Sequence, residues 1–324
     1  MLDQLYLNLL SYKGFILLIV FFLTLYVASS FLFPDTHVPD LNQKAVLITG
    51  CDTGFGHELA KKLDALGLRV FASCLTAEGQ TKLKNECSQH LTTWKLDVTD
   101  ENDVKKAIEF VKSRLPSQGL WAVVNNAGIV KPGLVEWHTM ESLKSVVEVN
   151  LWGTISVTKA FLPLLKQTKG RIVNMASSLG IVSVGVAVSY CISKYGVQAF
   201  SDGLRREVKP FGVTVHIIEP GFFKTNINDR SKAVEELEKI WHNLDKETKE
   251  SYGNEFYEQV KKRLKTNFMR LMSPHTYKVV DAMAHAAVCR RPKLRYSVGL
   301  DHKVIWKPLS FLPSELQDLL LEYC

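Results

Sequence analysis

The chain has few cysteines and no cluster of them: its six thiols stand at positions 51, 74, 87, 191, 289 and 324, with no Cys-x-x-Cys. Spacing this sparse over 324 residues speaks for free thiols rather than a disulfide framework or a zinc site. The nine histidines form no His-Glu-x-x-His or comparable ligand pattern, so no metal is expected. An Asn-x-Ser/Thr acceptor is also missing, which together with the free thiols points the bulk of the chain to the cytosol. No arginine precedes Arg69, which excludes an Arg-rich mitochondrial leader. Charge of one sign is not gathered anywhere either. The net charge is +7, but Lys and Arg are mixed with acids along helical patterns, as at Lys105-Lys106 and Glu235-Glu236, so they read as solvated faces and no nucleic-acid partner is expected. A composition of 46% hydrophobic and 23% charged residues excludes a disordered chain and a polytopic membrane protein. At roughly 150 residues per domain the length permits one or two domains, and one enlarged domain is expected.

One long apolar run is present. Phe15 to Phe33 is 19 residues without a charge, bounded by Lys13 and Asp35, enough to cross a hydrocarbon core as a helix. A cleaved signal peptide would carry a shorter apolar part and a small-residue cleavage site, matched only loosely by Ala28-Ser29-Ser30. The expected layout is therefore a membrane anchor over residues 1–34, a linker over 35–43 and the main domain over 44–324. Lys13 against Asp35, Asp40 and Lys44 gives little positive-inside bias.

From there strands and helices alternate. Ala45 to Thr49 is an apolar strand that runs into Gly50-Cys51-Asp52-Thr53-Gly54-Phe55-Gly56. Phe55, Leu59, Leu63 and Leu66 then recur at helical spacing up to Gly67. Strand, glycine turn and helix in this order form a phosphate cradle, since the glycines admit the ligand and the helix N-terminus presents free amides. Further strands are read at Leu68 to Cys74, Leu91 to Leu96, Trp121 to Val124, Arg171 to Ala176 and Val213 to Glu219. Between them lie a helix carrying Val104, Ala107, Ile108, Val111 and Leu115, a long helical pattern from Leu143 to Leu165, and a helix ending before Pro210. This alternation predicts an α/β fold, a doubly wound parallel sheet of Rossmann-like, single-domain type, with ligands at the carboxyl ends of the strands.

The chemistry centres on Ser189-Tyr190-Cys191-Ile192-Ser193-Lys194. Tyr190 and Lys194 stand four apart and so share a helix face. A tyrosine with its usual pKa of about 10 is a poor base at neutral pH, but a nearby cation favours the phenolate and permits proton exchange with an alcohol.

Taken together, Thr49-Gly50-x-x-x-Gly54-x-Gly56, Asn125-Asn126-Ala127-Gly128, Ser177, Tyr190-x-x-x-Lys194 and Pro220-Gly221 resemble the short-chain dehydrogenase/reductase family in order and spacing. The likeness is close over residues 44 to 225. Within the family, Ile48 to Gly56, Gly119-Leu120-Trp121, Tyr190 to Val197, Ala199 to Asp202, Ile218 to Gly221 and the late Tyr296-Ser297-x-Gly299-x-Asp301-x-Lys303 are similar to the membrane-associated retinol and hydroxysteroid dehydrogenase branch. Glu148 to Thr154 is similar to 3-hydroxybutyrate dehydrogenase.

The resemblance implies a role for each matched residue. Tyr190 would be the general acid/base and Lys194 would lower its pKa and bond the nicotinamide ribose. Ser177 would hold and polarise the substrate oxygen, with Ser178 as the alternative, and Asn150 would hold a water for a proton relay. Gly50, Asp52, Gly54, Phe55 and Gly56 would form the cofactor turn. Asp97 and Val98 would lie at the adenine, and Asn126, Ala127 and Gly128 along the adenosine side. Pro220, Gly221 and Thr225 would sit at the nicotinamide end. Many relatives end the second strand in an acidic residue, but here it reads Ser73-Cys74-Leu75-Thr76. With no Lys or Arg there or in the glycine turn, and with Asp52 close by, NAD is expected over NADP. Residues 226–275 would form a helical insertion covering the substrate, offering Ile227, Leu237, Ile240, Trp241, Phe256, Tyr257, Phe268, Met269 and Met272, which ordinary packing of extra helices would equally use. The implied activity is NAD-dependent oxidation of a hydroxyl on a retinol or hydroxysteroid. The alternatives are 3-hydroxybutyrate and a cofactor-binding membrane protein without turnover. The implied setting is the endoplasmic reticulum membrane, single-pass, with a homodimer as one possible assembly.

Overall fold

The computed structural model describes residues 14–21, 24, 36–225, 227, 229–266 and 272–321. The chain divides into two compact units, Pro39–Val288 with Pro292–Cys324, and Met1–Val38 with Cys289–Arg291.

The larger unit is built on a seven-stranded parallel sheet in the order β3-β2-β1-β4-β5-β6-β7. Its strands are β1 (Ala45–Ile48), β2 (Arg69–Cys74), β3 (Leu91–Lys95), β4 (Leu120–Asn125), β5 (Arg171–Met175), β6 (Thr214–Pro220) and β7 (Arg295–Val298). Strands buried on both faces read as unbroken apolar runs, and alternate side chains feed opposite faces. Accordingly, Val46 and Ile48 join Leu59, Leu63 and Met283 in one core layer, while Ala45 and Leu47 join Phe161, Leu165 and Val215 in the other. The order reverses between β1 and β4. At such a switch point the two neighbouring crossovers diverge and leave a crevice at the strands' carboxyl ends.

Two departures from the sequence pattern bear on the site. The stretch Leu143 to Leu165 is not one helix: Met140–Val147 and Thr154–Thr168 are α-helical, but Glu148–Gly153 between them is a π-turn. Its fully buried Asn150 spends its side chain on Ile129 and Ser193, and single π-turns of this kind mark places where one side chain must be re-aimed. A helix also fills Ala77–Glu86, which hydropathy does not announce because its sequence is mostly polar. It starts because Thr76 caps it, accepting from Gly79 N at 3.0 Å.

The helix Val188–Val208 carries Tyr190 and Lys194. It buries Cys191, Lys194, Val197, Ser201, Leu204 and Val208 along one face at helical spacing. A buried polar chain fixes it against the sheet. Asn125 Nδ2 donates to Thr158 Oγ1 and Asn174 Oδ1, both at 2.8 Å, and Asn174 Nδ2 donates to Ser201 Oγ at 2.8 Å. All four residues are nearly inaccessible.

In the smaller unit, residues 14–21 are helical and Phe15 through Phe21 are exposed. Among the described residues no helix is long and apolar enough to cross a membrane. Most of the expected anchor, Phe15 to Phe33, lies outside the described residues.

Asn174→Ala should leave one N–H of Asn125 and an acceptor on Ser201 unpaired in the core, costing about 2–3 kcal/mol. A urea titration should show a lowered midpoint at unchanged slope. A loss under about 0.5 kcal/mol, the size of an ordinary surface change, would contradict this bracing role.

Candidate active site

At the carboxyl ends of β1, β4, β5 and β6 opens a cavity of about 530 Å3. Every residue given a catalytic or cofactor role from the sequence lines it except Gly56 and Asn150.

The glycine turn is shaped by what it must approach. Gly50 has φ +69°, and a Cβ there would come within 2.7 Å of Ala127 Cα, while a Cβ on Gly56 would lie 2.5 Å from the Gly50 carbonyl. The helix Gly54–Ala65 starts without a side-chain cap, so no side chain claims its first amides. Asp52 points to the end of β2: its carboxylate accepts from Leu75 N at 2.9 Å, Thr76 N at 2.9 Å and Thr76 Oγ1 at 2.7 Å. Asp97 accepts from Thr99 N and Thr99 Oγ1, and the buried Val98 adjoins it. Thr49, not singled out beforehand, joins the β1 and β4 ends. Its hydroxyl accepts from both Asn126 N and Ala127 N at 3.1 Å, and Asn126 Nδ2 returns bonds to the Thr49 and Gly50 carbonyls at 3.0 Å. The signal was present, since Thr49 opens the glycine motif. Unclaimed helix amides, a turn passable only to glycine and a braced second loop fit the diphosphate of a dinucleotide.

Deeper in the cavity, Lys194 is 3% exposed and its ammonium donates to the Met175 carbonyl at 2.9 Å. Burial pulls its pKa down to about 8. The ammonium lies 5.5 Å from the centre of the Tyr190 ring. The phenol differs from the sequence expectation: burial pushes its pKa up to about 12, offset in part by a hydrogen bond with Ser177, and the lysine does not reverse the rise. Desolvation of the phenolate is the largest cause of that rise. Ser177 also caps the turn Ser178–Gly180, accepting from Leu179 N at 3.1 Å. The buried Ser178 hydroxyl has no partner among the described residues, nor does that of Thr225.

Asn150 stands behind the wall. Its Oδ1 accepts from Ile129 N at 2.8 Å, and its Nδ2 donates to Ile129 O at 2.9 Å and Ser193 Oγ at 3.0 Å, so both donors are used and one acceptor lone pair remains. It backs Gly128, where a Cβ would stand 3.3 Å from Oδ1.

The other half of the cavity is apolar, walled by Val130, Pro132, Val184, Val186 and Phe222. The insertion supplies Ile227, Ala233, Leu264 and Met272 to it. Its Leu237, Trp241 and Tyr257 instead form a separate core around Trp137, with Trp241 stacked on Tyr257 at 4.5 Å, while Phe268 and Met269 lie outside the described residues. Among the described residues the charged side chains lining the whole cavity are Asp52, Asp97 and Lys194.

A family model described as short chain dehydrogenase matches residues 44–236. The chain belongs to the short-chain dehydrogenase family. This short-chain dehydrogenase is 45% identical over 285 residues to short-chain dehydrogenase/reductase family 9C member 7 of Mus musculus, covering 88% of this chain and 90% of that one. It is 44% identical to 17-beta-hydroxysteroid dehydrogenase type 6 of Homo sapiens and 45% identical to retinol dehydrogenase 7 of Rattus norvegicus, each over 88% of this chain and 89% of the relative. In fold it resembles a short-chain dehydrogenase from Streptomyces avermitilis, with TM-score 0.66, 23% identity and coverage of 86% of this chain and 96% of that one. It also resembles one from Burkholderia cenocepacia in complex with NADP, with TM-score 0.63, 22% identity and the same coverage. Membership of this family makes the protein an oxidoreductase that binds a nicotinamide dinucleotide, whose nicotinamide ring accepts or gives hydride when bound.

Proposed function

We propose that this short-chain dehydrogenase oxidises a hydroxyl of a lipophilic alcohol, a retinol or a hydroxysteroid, with NAD. One observation carries the reading: Ser177, Tyr190 and Lys194 meet where a glycine-lined half of the cavity joins an apolar half that, among the described residues, has no cation of its own. Tyr190 exchanges the proton with the substrate oxygen, Ser177 orients that oxygen, and Lys194 turns its remaining N–H groups to the ribose. Asn150 keeps one lone pair for a water on the proton path. An anionic 3-hydroxybutyrate would need a counter-charge in the apolar half, whereas a retinoid or steroid needs burial. The relatives named for hydroxysteroid and retinol support the same ranking.

NAD is preferred because Asp52 holds a negative charge at the end of β2 and no Lys or Arg other than Lys194 lines the cavity among the described residues. We further propose that residues 1–34 anchor the protein in the endoplasmic reticulum membrane, with 35–43 as linker, 44–324 as a cytosol-facing catalytic domain and 226–275 covering the substrate. An apolar alcohol dissolved in that bilayer is then concentrated near the cavity.

The direct test is a screen of retinols, hydroxysteroids and 3-hydroxybutyrate with NAD in detergent, on wild type and Tyr190→Phe. Lipophilic alcohols should be oxidised and 3-hydroxybutyrate spared. Tyr190→Phe should lose at least roughly 100-fold in turnover while still binding NADH. Oxidation needs the phenolate, and burial holds the phenol protonated, with its pKa up at about 12. The oxidation rate should therefore climb with rising pH throughout the range below that pKa, while carbonyl reduction, which uses the protonated phenol, should not. Turnover of 3-hydroxybutyrate alone would reverse the ranking, and near-normal activity of Tyr190→Phe would remove the tyrosine from the chemistry.

Asp52→Asn keeps an acceptor for the Leu75–Thr76 turn but deletes the charge. It should raise kcat/KM with NADP relative to NAD, and an unchanged ratio would clear Asp52 of cofactor choice. The anchor predicts that the full chain stays with membranes through alkaline carbonate, and that removal of residues 1–34 frees a domain still able to bind NADH. Recovery of the full chain in the soluble fraction would refute it.

A further inference from the structure

We infer that Asp301, outside the cavity and 80 positions after Gly221 in the chain, is a positioning residue that sets where the Gly221–Phe222 wall stands. The inference rests on the reading that Pro220 to Thr225 takes the nicotinamide end of the cofactor.

The wall is the continuation of β6. Past Pro220 it leaves the sheet, and its backbone groups need new partners. The end of β7 and the segment after it supply one each: Val298 O accepts from Gly221 N at 2.8 Å, and Asp301 Oδ2 accepts from Phe222 N at 2.7 Å. The other side is held by Ser273, which donates to Phe222 O at 2.9 Å and accepts from Lys224 N at 3.0 Å. Phe222 packs on Trp306 at 5.5 Å and Phe223 on Phe55 of the glycine turn at 6.1 Å, so a shift of this wall is felt at both ends of the cofactor site.

Asp301 is 6% exposed, and both its oxygens press on glycine. A Cβ on Gly221 would overlap the whole carboxyl group, and a Cβ on Gly299, whose φ is +108°, would come within 2.5 Å of Oδ1. The carboxylate therefore acts in two ways. Its acceptor oxygen holds the Phe222 amide, and its bulk fills the space that a side chain at Gly221 would need. A charged acceptor makes the stronger kind of hydrogen bond, and removing the carboxylate takes that bond from the Phe222 amide. This gives the late pattern Gly299-x-Asp301 a physical role: the positive-φ glycine turns the chain so that the carboxylate reaches back to the β6 end.

The test is NADH titration of the full chain in detergent, followed by fluorescence, with thermal midpoints of the cofactor-free proteins alongside. Asp301→Ala should weaken NADH binding by about tenfold, the equivalent of one lost hydrogen bond to a charged acceptor. Asp301→Asn keeps an oxygen for Phe222 N and should stay within about threefold of wild type. Gly221→Ala should be as damaging as Asp301→Ala, because its methyl group drives the carboxylate off the amide. In the double variant the methyl group enters the space the carboxyl has left, so the loss should be no greater than in either single variant. A purely structural role would lower the thermal midpoints without this coupling in Kd. Multiplicative losses in the double variant, Asn as poor as Ala, or an unchanged Kd in Asp301→Ala would each overturn the inference and leave the dinucleotide reading standing. A wild-type chain that fails to bind NADH would overturn the dinucleotide reading itself and this inference with it.

Discussion

A buried ammonium is the constraint around which this site is arranged. Lys194 lies within the domain, and a charge there is tolerable only where polar groups receive its protons. Met175 O at the end of β5 takes one, which ties the Tyr190 helix to the sheet at the level where the strands end. The cost of burial shows in the lysine itself, whose pKa is drawn down to about 8. The same dryness raises the neighbouring phenol to about 12. The phenol thus sits in its less reactive, protonated state until a ligand adds charge and hydrogen bonds to the cavity. Two donors on Lys194 and the unpaired hydroxyls of Ser178 and Thr225 are polar capacity held in reserve for that ligand.

The rest of the structure keeps these few atoms in place. The chain Asn125, Asn174 and Ser201 fixes the helix laterally, and the side chain of Asn150 grips Ile129 and Ser193 from behind. Thr49 does for the cofactor loops what the asparagines do for the helix, pinning the β4 end to the β1 end through two amides. Because the sheet is parallel and its order reverses at β1 and β4, all these ends emerge on one edge, so residues from Gly50 to Met272 share one cavity.

Much of this was legible in the sequence. Apolar runs such as Ala45 to Ile48 and Trp121 to Val124 announce buried parallel strands, and glycines, amides and the Tyr190–Lys194 pair fall at their ends because chemistry-bearing residues cannot sit inside such runs. What pattern could not deliver were balances between opposing effects. Spacing puts Lys194 beside Tyr190, but whether charge or desolvation governs the phenol depends on how deeply the fold buries it. Helical periodicity joins Leu143 to Leu165, but the π-turn at Glu148–Gly153 follows from a side chain reaching across to another segment. The apolar residues of the insertion look alike in sequence. Only packing separates Ile227 and Leu264, which face the cavity, from Trp241 and Tyr257, which face Trp137. Asp301 is too far along the chain from Gly221 for spacing to connect them.

The central claim is that hydride leaves a lipophilic carbinol carbon for NAD in a site where Tyr190 handles the proton. It is tested most directly by single-turnover oxidation of a retinol or hydroxysteroid carrying deuterium at the carbinol carbon, with mass analysis of the reduced cofactor. The account predicts that the label appears in NADH, and that the yield of labelled NADH collapses in Tyr190→Phe. Carbonyl product formed without transfer of the label to NAD, or equal labelling by Tyr190→Phe at the wild-type rate, would contradict it.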